Sequence, residues 1–152
     1  MIELAHASIH IKQEPNKVFD FVTNMEHYAD WFEGVIKIVS ANDKDQFSQG
    51  KCYQETLIIN GDEVQLTIEV DQCTRAKCFI TKGDLAGILP QMTMCFDATE
   101  NNHGAQETLM QLSYHSREPA LANNLSMLHF LREDLSARAD KGLSKLKALM
   151  EM

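Results

Sequence analysis

Apolar and polar residues alternate along the first segment of the chain. Ala5, Ala7, Ile9 and Ile11 fall on one side and His6, Ser8 and His10 on the other. A period of two predicts a half-buried strand. Glu14-Pro15-Asn16 then supplies a helix start with proline in the first turn, and Val18, Phe19 and Val22 follow at helical spacing. Asn24 is a candidate cap for a second short helix running through His27 and Tyr28 to Trp31-Phe32.

From Val35 to Ser116 the pattern is of strand type. Val35 to Ser40 is a β-branched run, and Cys52 to Ile59 leads into Asn60-Gly61, a two-residue hairpin signal because both residues tolerate positive φ. The cleanest alternation follows: Val64, Leu66, Ile68 and Val70 against Glu63, Gln65, Thr67 and Glu69. Ala76 to Thr81 reads as a further strand, and Gly83 to Pro90 as a connection. Met92 to Ala98 and Glu107 to Tyr114 form a last pair across Asn101-Asn102-His103-Gly104. Successive hairpins describe an antiparallel meander. Pro119 opens the longest helical pattern, with Leu121, Leu125, Leu128, Leu135, Ala139, Leu146 and Leu149 near helical spacing, predicting a helix of about 30 residues. The order β, α, α, six strands, long helix contains no repeat, linker or low-complexity segment, so residues 1–152 read as one α+β domain.

Charge narrows the partners. Fourteen Lys and Arg against 22 Asp and Glu give a net charge of −8, which argues against nucleic acid and against a polybasic membrane anchor. No run of about 18 apolar residues offers a membrane span. The N-terminus has no basic region followed by an apolar run, and Cys52, Cys73, Cys78 and Cys95 form no C-x-x-C pair. Both features predict a cytoplasmic protein with reduced thiols. Oligomeric state leaves no mark in the pattern.

Several motifs resemble a known family. Ile9-x-Ile11 followed by Pro15-x-x-Val18-Phe19-x-Phe21-Val22 is similar to the entry of the START-like helix-grip (SRPBCC) superfamily. So are Trp31 before Val35, Gly50 before Tyr53, and the closing Leu143-x-x-Leu146-Lys147-x-x-x-Glu151. The polyketide cyclase/dehydrase-like branch is the nearest, and the resemblance covers almost the whole chain. It implies a seven-stranded antiparallel sheet wrapped around the C-terminal helix, with two short helices between strands 1 and 2. It also implies a cavity between sheet and helix for a small hydrophobic or amphipathic ligand, lipid or polyketide-like. These motifs are packing signatures; none is catalytic.

The chemistry-bearing residues can be weighed separately. G-x-S-x-G, G-x-G-x-x-G, Walker and H-E-x-x-H patterns are all absent, which removes the common hydrolase, nucleotide and zinc readings. His6 and His10 share a polar strand face with no third metal ligand near them, so neither a metal nor a cofactor is implied. What remains is binding, or general acid/base work, by residues facing the expected cavity: Trp31, Tyr53, Glu55, Met94, Met110, Tyr114, Leu128 and Arg132. Methionines suit a cavity of variable content and also fill ordinary cores. Glu55 points inward or outward according to strand register. Arg132 falls between Leu128 and Leu135, where a buried guanidinium needs a carboxylate or a ligand, unless its head reaches water from the stripe's edge. Three functions follow: a carrier of a small hydrophobic molecule, a cyclase or dehydratase acting in the same cavity, and a chaperone-cofactor-like protein-binding module. The last needs an exposed apolar sheet face, whereas Glu63, Gln65, Thr67 and Glu69 are polar.

Overall fold

A computed structural model describes all residues, 1–152. Its elements are β1 (Ile2–Ile11), α1 (Pro15–Val22), a 3-10 turn (Met25–Asp30), then β2 (Val35–Ser40), β3 (Cys52–Ile59) and β4 (Asp62–Thr74). β5 (Cys78–Gly83), β6 (Pro90–Glu100) and β7 (Gln106–Ser116) complete one antiparallel sheet in the order β1-β7-β6-β5-β4-β3-β2. A second 3-10 turn (Pro119–Asn123) leads to α2 (Leu125–Met150). This is the helix-grip arrangement, with both short helices between β1 and β2.

Local chemistry accounts for the turns. Asn60 and Gly61 adopt φ of 51° and 80° and close the β3–β4 hairpin on the Ile59–Asp62 pair. Along β4, Leu66, Ile68 and Val70 are buried while Glu63, Gln65 and Glu69 are exposed. Bulges at Val35/Lys37, Val70/Gln72 and Glu3/Ala5 interrupt the ladders, and such insertions add the bend a sheet needs to wrap a helix. Asn24 caps the first 3-10 turn by accepting from the Glu26 N–H at 3.2 Å.

Two boundaries differ from the sequence expectation. Ala76 lies in a turn at φ 55°, with Lys77 N–H donating to Thr74 O, so β5 begins at Cys78. The long helix does not begin at Pro119. Asn124 is non-helical (φ −110°, ψ 77°), and its side chain accepts from the Met127 N–H at 3.3 Å, capping a helix of 26 residues. A side chain that competes for backbone donors stops one helix and starts the next.

Beside α1, Phe19 meets Phe96 edge-on at 5.3 Å, and Ile11, Phe79, Met94 and Met110 belong to the same core, all 0–1% exposed. At the other end Asn60, Gly83–Pro90 and Ser116–Pro119 gather near the start of α2. Ser116 Oγ donates to Ile88 O at 2.5 Å, Arg117 Nη2 donates to Gly83 O at 2.5 Å, and Asn60 borders a shallow surface pocket with Asn124 and Ser126.

Candidate functional site

Between the inner sheet face and the N-terminal half of α2 lies a cavity of about 80 Å³. Thirteen of its 19 bordering residues are hydrophobic. Strand register builds the floor: Tyr114 pairs with Met92 and Met92 with Thr81, so one row of inward side chains crosses β7, β6 and β5. On β3, Glu55 pairs with Leu66 of β4 and shares the inner face with Leu57. The first 3-10 turn contributes Tyr28 and Phe32 nearby, stacked at 4.8 Å, and α2 contributes Leu131, Asp134, Leu135 and Arg138 as the roof.

Three polar features interrupt this apolar lining. Tyr28 and Tyr114 share a short hydrogen bond between their hydroxyls, and burial pushes both phenols well above the ordinary tyrosine range. Glu55 is only 6% exposed and its carboxyl is engaged in no hydrogen bond or ion pair. Burial alone pushes it up from 4.5 to about 7. Arg138, by contrast, is paired and bonded to the protein: its Nε meets Asp134 Oδ2 at 3.0 Å, Nη2 donates to Ile58 O at 2.8 Å, and Nη1 donates to Glu33 O at 3.4 Å. The guanidinium closes over Gly34, where an added Cβ would collide with Nη1. Glycine therefore serves twice there, giving φ +90° and leaving room for the arginine.

The structure brings Glu55 and Tyr114 together on the cavity wall and places the other six sequence candidates elsewhere. Met94 and Met110 sit in the α1 core at 0% exposure. Tyr53 is inward-facing but closed over, 1% exposed, with burial pushing its phenol up to about 12. Trp31 is covered by α2, whose Gly142 passes so close that a Cβ would lie 3.1 Å from Trp31 O. Leu128 is buried outside the cavity lining.

Arg132 requires a correction. It is exposed at the edge of the helix and donates from Nε to Glu3 O at 3.1 Å. At about 100° per residue it stands roughly 40° to one side of Leu128, towards β1, while Leu131 takes the inward position. Arg138 lies on the opposite shoulder, roughly 80° from Leu128, above β2 and β3. Sequence reasoning missed Tyr28, Asp134 and Arg138. The Asp134/Arg138 spacing of four was a visible signal for an intrahelical pair. The histidines stay away from the cavity: His27 stacks on Phe21 at 4.6 Å, His10 pairs with Glu107 at 3.0 Å, and His129 pairs with Glu133 at 3.3 Å.

Chemically, such a site can hold a compact apolar body, offer hydrogen bonds at one end, and exchange a proton near neutral pH. No helix of the chain is long and apolar enough to cross a membrane. No curated protein matches the sequence. Among solved structures, the di-domain ARO/CYC StfQ from the steffimycin biosynthetic pathway superposes with a TM-score of 0.69 at 12% identity, over 99% of this chain and 51% of that one. The chain thus spans about half the length of StfQ. A START superfamily protein from Mycobacterium smegmatis superposes with a TM-score of 0.63 at 12% identity, over 98% and 97% of the two chains. At these identities the likeness is one of fold. The family model for polyketide cyclase / dehydrase and lipid transport proteins matches residues 4–151, and the chain belongs to that family.

Proposed function

We propose that the protein binds a small, largely apolar molecule in this cavity, with the polar end of the ligand against Glu55 and the Tyr28–Tyr114 pair. The observation that carries the reading is a buried carboxyl, without a partner, on the wall of an otherwise apolar cavity. Buried polar groups are normally satisfied, so an unpartnered one beside open space calls for a ligand or for solvent. The size favours a compact ligand. About 80 Å³ is less than the ~150 Å³ of a cavity that holds benzene, so even a one-ring ligand enters only as the Gly83–Pro90 mouth widens, and a fused-ring or long-chain molecule needs it wider still. We read residues 1–152 as one domain that holds this ligand and, on the sequence argument, place it in the cytoplasm.

A second reading is an enzyme of the cyclase or dehydratase type, and one observation favours it. A carboxyl held near pH 7 beside two phenols suits general acid/base work on an enolisable substrate. Thermal shift against a panel of lipids and aromatic compounds, with native mass spectrometry of the purified protein, tests the binding reading. A bound small molecule or a stabilising compound is expected. No copurifying molecule and no shift across the panel overturns it. If turnover of a bound compound is found, loss of activity in Glu55→Gln with binding retained marks the enzyme.

A further inference from the structure

We propose that the cavity discriminates by charge, preferring a ligand that ends in an amine and rejecting one that ends in a carboxylate, with Glu55 as the residue that sets the preference. This rests on the binding reading above and deepens it.

Three observations carry the inference. First, Glu55 projects from the middle of β3 onto the cavity wall with no donor of the protein assigned to it. Second, the charged groups on that wall are Glu55 and Asp134 against Arg138 alone. Arg138 already has its counter-charge, with Nε 3.0 Å from Asp134 Oδ2 and two further N–H groups on Ile58 O and Glu33 O, so Glu55 is the charge on that wall left unmatched. An anionic ligand would therefore enter beside an unmatched carboxyl and would meet the one cation only in competition with Asp134, and low dielectric makes such like-charge placement costly. Third, Tyr28, Phe32 and Tyr114 form a contiguous aromatic cluster bordering the same cavity, with Phe32 5.5 Å from Tyr114. Aromatic rings favour ammonium over carboxylate.

An ammonium group satisfies all three. It donates to Glu55, restores charge balance on the wall, and finds aromatic neighbours. Entry of the amine favours the ionised form of Glu55. The other groups facing Glu55 are Tyr28 from the 3-10 turn, Tyr114 from β7, and the Arg138–Asp134 pair from α2. Burial holds both tyrosines neutral at pH 8, so Glu55 is the proton-exchanging partner of the amine.

The test uses three probes on one skeleton, benzylamine, benzyl alcohol and benzoate, titrated calorimetrically into the full chain at pH 8 in an amine-free buffer. Benzylamine is expected to bind about tenfold or more tightly than benzoate. Glu55→Gln should weaken benzylamine by about tenfold while leaving benzyl alcohol within about twofold. Glu55→Leu, which removes the polar group altogether, should bring benzoate and benzylamine close to parity. Binding of benzoate as tight as that of benzylamine overturns the charge preference and leaves the binding reading standing. So does benzylamine binding that is unchanged in Glu55→Gln. Failure of all three probes overturns the preference as stated, and joined to a silent lipid and aromatic panel it overturns the binding reading too.

Discussion

Glu55 makes a quantitative prediction about stability that needs no ligand. Its carboxyl titrates at about 7 in the folded chain against 4.5 without burial. Folding therefore strengthens its hold on the proton. Below about pH 4.5 the carboxyl is neutral in both states and its contribution to stability is fully present. That contribution is progressively lost as the pH climbs and is gone once the pH has risen through about 7, where the folded chain must bury a charge that the unfolded chain hydrates. At 1.36 kcal/mol per decade the loss totals about 3 kcal/mol, of which roughly 2–3 kcal/mol falls between pH 5 and pH 8. Glu55→Gln keeps the shape and cannot ionise. Its urea midpoint relative to wild type should therefore rise by about 1 M over that interval, for an m-value of about 2 kcal/mol/M. Comparing the two proteins pH by pH cancels the titration of the histidines and of the surface carboxylates, which both carry. Tyr28, Tyr114 and the Arg138–Asp134 pair face Glu55 in both proteins as well. Two midpoint curves that run parallel from pH 5 to pH 8 would show that Glu55 titrates as an exposed carboxyl, and the site as described would fall.

Further outcomes follow from the same geometry. Tyr114→Phe leaves the buried Tyr28 hydroxyl without its partner and should cost about 1–3 kcal/mol by urea denaturation; adding Tyr28→Phe should recover part of it. Gly34→Ala meets both a φ of +90° and the Arg138 guanidinium, so the melting temperature should drop by about 4–8 °C, from a cost of about 2 kcal/mol. Arg132→Ala should alter stability by less than about 1 kcal/mol and leave ligand titrations unchanged, whereas Arg138→Ala strands Ile58 O and Asp134 and should lower the urea midpoint clearly. Burial pushes the thiols of Cys52, Cys73 and Cys78 up, so iodoacetamide at pH 7 should label the folded chain more slowly than the unfolded one, as read by mass spectrometry.

Alternation, β-branched runs and turn signals together located every strand of the sheet; β2 shows no period of two because a bulge at Val35/Lys37 breaks its alternation. Periodicity failed where a single polar residue decides the outcome. Asn124 lies between two leucine-bearing stretches that both read as helix, and only its capping bond separates them. The cavity was legible as an expectation of the family, yet most of its residues were not. Met94 carries the right side-chain type but lies away from the cavity end of the sheet, and Leu128 falls one turn short of the lining on α2, because position along an element has no periodic signature. Arg132 and Arg138 illustrate the point on one helix: both flank the apolar stripe, on opposite sides, and only the placement of β1, β2 and β3 tells which side closes over the cavity. Glu55 was legible as a candidate whose face depended on strand register; its isolation was not, since that depends on what α2 carries opposite.

The location of the cavity follows from the uneven way α2 meets the sheet. Towards its C-terminal end the helix presents Ala139, Gly142, Leu143 and Leu146, nearly or wholly buried, and Gly142 allows its backbone to come into contact with Trp31. Close packing there leaves no room for a ligand. Towards the N-terminal end the facing residues are Leu131, Asp134, Leu135 and Arg138, and open space lies between them and Tyr114, Met92 and Glu55. Collapse of that space would close the cavity, and Arg138 opposes it as a strut, bonded at once to Asp134 on its own helix and to the carbonyls of Ile58 and Glu33 beside β3 and β2. The arginine that holds the roof in place already has its counter-charge in Asp134. One consequence of building the cavity this way is that its free charge is a carboxyl, so the packing of α2 and the selectivity argued for Glu55 have a common origin in Arg138.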